Sequence, residues 1–81
     1  MPPSDAPAWL LHLRLQVGRR IMAARLAQGL SQEDLAEMAD LSRHTVYRAE
    51  TGSHGTSTDA ILRIAVALRV SPSSLFPTER S

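Results

Sequence analysis

Gly29-Leu-Ser-Gln-Glu-Asp-Leu-Ala-Glu-Met-Ala-Asp-Leu-Ser-Arg-His-Thr-Val-Tyr-Arg-Ala-Glu-Thr-Gly52 is the stretch that decides the fold. Ser31 begins a Ser-x-x-acid pattern with Asp34, the signature of a capped helix start. Ser42 caps a second short helix running to about Glu50. Asp40-Leu41 between them leaves room only for a tight break, so the two helices cross steeply instead of lying antiparallel. Such a crossing needs a small residue at the contact, Ala36, and inward apolar side chains on the later helix, Val46 and Ala49. Leu35 and Leu41 fill the remaining gap. Burial of each larger aliphatic is worth roughly 1.5–3 kcal/mol, enough to set the geometry. With Val46 and Ala49 inward, Arg43, His44, Tyr47 and Arg48 point outward, and Thr45 lies at the margin.

Helical patterning extends in both directions from this stretch. From Ala8 to Gln28 apolar positions recur at helical spacing without a proline, and Gly29 stands where such a helix stops. Thr51 to Gly55 is rich in turn formers. Thr56 or Ser57 caps a fourth helix through about Leu68, with Ile61, Leu62, Ile64, Ala65 and Leu68 on one broad face. Ser71-Pro72 starts a short fifth helix through Phe76. No strand alternation occurs. The expected architecture is an all-α, compact five-helix bundle over residues 8–76, with a flexible lead-in at 1–7 and a flexible tail at 77–81.

Composition narrows the function classes. The 81 residues suffice for one compact domain. Cysteine is absent, which removes disulfides and thiolate metal sites. His12, His44 and His54 are scattered and lack supporting carboxylates, so no metal site and no cofactor are expected. Glu33, Asp34 and Glu37 fit the dipole at a helix start better than paired acid-base catalysis. No nucleophile elbow and no phosphate-cradling glycine loop appears, so catalysis has no candidate. The absence of a long apolar run or an export signal suggests a cytoplasmic protein without membrane contact. Net charge is only +1, yet all nine basic residues are Arg. Arg suits bidentate contacts to phosphate and to guanine edges. An exposed helix carrying long donors and an aromatic near its start fits a major groove about 12 Å wide.

From about Val17 to Phe76 the chain resembles the lambda-repressor-like, or XRE-type, helix-turn-helix family. The resemblance rests on Ile21, Arg25, the blocks at 29–36, 41–52 and 64–71, and the spacing between them. It implies a DNA-binding transcriptional regulator, a repressor more than an activator, acting as a homodimer on an inverted-repeat operator in double-stranded DNA. It also implies roles residue by residue. Gln32 would meet the DNA backbone and a base beside it. Ser42 would cap the recognition helix and touch phosphate. Arg43, His44 and Arg48 would face base edges, with Thr45 and Tyr47 close by. Ser53 and His54 would lie along phosphates, and Arg25 with Glu50 would form a structural ion pair. Two departures stand out. Asp40 holds the turn position where the family usually has Gly, and the loop after Gly52 lacks the family's usual basic residue.

The first helix carries a further signal. At 100° per residue, Trp9, Leu10, Leu13, Val17, Ile21 and Ala24 share one face, while Leu11, Leu15, Met22 and Leu26 share another. Either residues 8–14 fold back as a separate helix, or helix one is long and the second stripe meets another molecule. That molecule would be a second copy or a protein partner. The rival function is then an antitoxin-like or anti-repressor interaction module that uses the helix-turn-helix as scaffold.

Overall fold

The computed structural model describes residues 6–77. Four α-helices, α1 (Ala8–Ala27), α2 (Gln32–Ala39), α3 (Arg43–Thr51) and α4 (Thr58–Leu68), precede a 3-10 turn at Pro72–Leu75. Apart from Ala6, Pro7 and Pro77, the expected lead-in and tail lie outside the described residues.

Serine caps start α2, α3 and α4: Ser31 accepts from the Asp34 N–H, Ser42 from Thr45 and Ser57 from Ala60. At α2 the box is complete, because the Asp34 carboxylate accepts from the Ser31 N–H at 2.9 Å. This hydrogen bond holds the Asp34 carboxyl below the ordinary aspartate range. Three helices end by one device, a left-handed residue with paired bonds back to the last turn. Leu30 N–H reaches Arg25 O, Leu41 N–H reaches Ala36 O, and Val70 N–H reaches Ala65 O. The left-handed residues are Gly29, Asp40 and Arg69. Asp40 thus turns the chain between α2 and α3 at φ 57°, a conformation Asp tolerates better than most residues.

The expected fifth helix is instead one 3-10 turn. Ser74 Oγ donates to Ser71 O at 2.6 Å, a local side-chain bond that competes with helix propagation. Pro77 disfavours helical backbone at Phe76, which is extended at φ −104° and ψ 142°. Leu75 is buried and anchors the turn.

Ile21, Leu35, Val46, Ile64, Leu68 and Leu75 form the centre of the core, one or two from each element. Leu62 does not join the broad face expected of α4. It is 44% exposed, because it lies about 100° around the helix from Ile61. Helix α1 is continuous, which settles the choice between one long helix and a folded-back segment. Only its C-terminal half meets the core squarely. Trp9, placed by periodicity on the face of Ile21, is 65% exposed.

Candidate nucleic-acid interface

Two glycines set the position of α3. A Cβ on Gly18 would collide with the Glu50 carbonyl oxygen and lie 2.6 Å from that of Ala49. The backbone of α3 therefore rests on α1 at a point where only hydrogen fits. At the other end of the contact, Gly52 has φ +69°, and a Cβ there would sit 3.0 Å from the Arg14 carbonyl carbon. Gly18 was not singled out by sequence reasoning. Its signal was a glycine in the middle of a 20-residue helix, where Gly costs about 1 kcal/mol relative to Ala unless close packing requires it.

About two turns further along α1 from Gly18 lies the buried pair. Arg25 Nε donates to Glu50 Oε2 at 2.6 Å and Arg25 Nη2 to Oε1 at 3.0 Å, a two-pronged contact. Arg25 Nη1 also donates to Leu30 O at 2.7 Å, tying the α1–α2 turn to the pair. The hydrogen bonds to Glu50 raise the Arg25 pKa against the opposing effect of burial. Gln32 Nε2 donates to Glu50 Oε1 at 3.0 Å. Gln32 is thus half-buried at the start of α2, held by the same carboxylate. No buried side-chain nitrogen or oxygen among the described residues lacks a partner.

The opposite side of α3 is open. Val46 and Ala49 are buried, and Arg43, His44, Tyr47 and Arg48 are exposed. Neither guanidinium forms an ion pair or hydrogen bond with the described residues. The one carboxylate on α3, Glu50, faces inward, so the outward face presents cations and donors without a compensating acid. Ser42 is exposed and Thr45 half-buried; Ser42 Oγ lies 2.9 Å from Thr45 Oγ1 and 3.0 Å from the Thr45 N–H. A shallow depression lined by Ser31, Gln32, Glu33 and Arg43 runs between the starts of α2 and α3. Both helices there point positive dipole ends toward solvent, an arrangement suited to phosphate oxygens.

From the last residue of α3 onward, Thr51, Ser53 and His54 form a chain. Thr51 Oγ1 lies 3.1 Å from Ser53 Oγ, and His54 Nδ1 lies 3.2 Å from that oxygen. On α1, Leu11 and Leu26 are exposed but Leu15 and Met22 are half-buried, so the second stripe is widest at its two ends. His12 pairs with Gln16 at 2.7 Å. No group of His, Cys, Asp or Glu among the described residues can hold a metal ion.

This arrangement has known counterparts. The helix-turn-helix model HTH_3 matches residues 21–75. The chain belongs to that family. Its class is accordingly that of DNA-binding transcriptional regulators. Solved structures agree with the helix-turn-helix assignment. The restriction-modification controller protein C.AhdI from Aeromonas hydrophila is 40% identical, with a TM-score of 0.75 over 78% of this chain and 96% of that one. The wild-type restriction-modification controller protein C.Esp1396I is 29% identical, with a TM-score of 0.71 over 85% and 86%. A hypothetical transcription factor, NHTF, from Neisseria is 27% identical, with a TM-score of 0.77 over 95% and 87%. No curated protein matches the sequence. None of the described helices is long and apolar enough to cross a membrane.

Proposed function

We propose that this helix-turn-helix protein is a homodimeric, cytoplasmic transcriptional repressor that inserts α3 of each copy into a major groove of an inverted-repeat operator. The observation that carries this reading is the unpaired outward face of α3 above a fully satisfied inner side. In this reading Arg43, His44 and Arg48 contact base edges, and Thr45 and Tyr47 sit close to base or backbone. Ser42, Gln32, Ser53 and His54 fix the protein on phosphates. Half-sites then lie about one helical turn, roughly 34 Å, apart. Similarity to two restriction-modification controller proteins over most of their length supports a controlling role in expression. Among the described residues no nucleophile stands with both a base and an orienting partner, which favours a binding role over catalysis.

A second reading is favoured by the exposed ends of the α1 stripe. Leu11 and Leu26, the latter 59% exposed, would dock a protein partner and make the helix-turn-helix a scaffold.

Selection of duplexes from a random pool, followed by a salt titration of the enriched site, separates the two. The repressor reading predicts an enriched inverted repeat whose binding constant falls steeply with salt as counterions are released. A pool that enriches nothing would overturn it in favour of the scaffold reading.

A further inference from the structure

The connector from α3 to α4, residues 52–57, carries no Lys or Arg, although it leaves the end of the exposed helix and would run beside DNA. A cation is nevertheless present there, delivered by another element. Gly52 packs so closely on the α1 backbone at Arg14 and Leu15 that the connector comes within one side chain's reach of α1. The Arg14 guanidinium lies over Gly55, with Nη2 3.4 Å and Cζ 3.9 Å from where a Cβ would stand. Arg14 lines the same depression as Leu10, Val17, His54 and Thr56, so its aliphatic stem rests on apolar surface while its head reaches the connector.

Three features set this arginine apart from an ordinary solvated one. It is half-buried, so part of the entropy of ordering a long side chain is already spent in the free protein. Gly55 is exposed and has no side chain to cover the guanidinium. Among the described residues Arg14 has neither an ion pair nor a hydrogen bond, and residues 51–58 contain no acid to neutralise it. His54, which lines the same depression, adds an imidazole that is linked to the Ser53 and Thr51 hydroxyls.

We infer that Arg14, from α1, is the cation that holds the α3–α4 connector onto a DNA backbone phosphate. The inference rests on the DNA-binding reading above. Arg14 would grip the duplex irrespective of its sequence, while Arg43 and Arg48 read it.

The test measures duplex binding by fluorescence anisotropy over a range of salt for wild type, Arg14→Gln and Arg14→Lys. Gln keeps most of the stem and loses the charge. Loss of one phosphate contact should lower the magnitude of the log–log salt slope by about 0.9. Arg14→Gln should weaken selected and unrelated duplexes by the same factor, about three- to tenfold at low salt. Arg14→Lys should restore the wild-type slope. Matched thermal melts of the three proteins separate binding from folding. A wild type that binds with a steep slope and an Arg14→Gln variant with that same slope would overturn the assignment. So would a loss confined to the selected site. A wild type with no salt-dependent duplex binding would overturn the DNA-binding reading itself.

Discussion

The two sides of α3 obey opposite rules. Its inner side meets α1 through two glycines and a carboxylate only 2% exposed, and each buried polar atom there has a partner. Its outer side, on the same nine residues, presents guanidinium, imidazole and phenol groups with their hydrogen-bonding capacity left to solvent. Arg25 and Arg48 make the contrast within one residue type. Arg25 is 8% exposed and bound to Glu50 and to a carbonyl, whereas Arg48 is exposed and unpaired. The lesson is a division of labour: one face is spent on stability, so the other can be left unsatisfied for a ligand. Substitutions on the inner side should therefore move folding, and those on the outer side should move binding alone.

The largest expected effect comes from removing the inner carboxylate. Glu50→Ala strands a buried guanidinium and the Gln32 amide, and should cost about 3–5 kcal/mol in chemical denaturation. A cost under 1 kcal/mol would mean that the inner side is less closed than its geometry shows. Next is Gly18→Ala. The added methyl meets α3 backbone oxygens and not a flexible side chain, so α1 and α3 must separate, at about 2–3 kcal/mol in the same assay. An ordinary exposed helical Gly→Ala change would instead stabilise, so the sign alone is decisive.

These two sites also show how far the sequence could be read. The Ser31 and Ser42 caps and the outward set of Arg43, His44, Tyr47 and Arg48 were legible, because local bonds and helical period determine them, whereas the special turn position of Asp40 was legible through resemblance. Arg25 with Glu50 was legible only through resemblance, since a contact between residues 25 positions apart leaves no periodic trace. Gly18 was illegible for the same reason, its partner lying on α3. The 3-10 turn at Pro72–Leu75 depended on local competition from Ser74 and on Pro77, features a capping signal does not weigh. Leu62 is exposed through its own angle on α4, about 100° from Ile61, and Trp9 is exposed although it keeps the apolar period of α1. On the candidate site, side-chain direction was accessible and the inward hold on Gln32 was not.

The smallest expected effect lies at the start of α2. The Asp34 carboxyl is fully exposed, and its pKa is lowered by the Ser31 backbone N–H. A lowered folded-state pKa stabilises above the unfolded value and is lost as pH falls through the folded one. Asp34 should therefore contribute constant stability at neutral pH that fades under acid conditions, in a window below the ordinary aspartate range. Asp34→Asn should flatten that part of the stability–pH curve relative to wild type. Superimposable acid limbs for the two proteins would remove the capping box as a source of stability.

If the two sides of α3 are independent, Arg48→Ala separates them when thermal unfolding and duplex affinity are measured on the same sample. The expected outcome is an unfolding midpoint equal to wild type together with a loss of about 1–3 kcal/mol in binding to the selected duplex. A lowered midpoint with unchanged affinity would contradict it, because the outward arginine would then belong to the fold and not to the ligand.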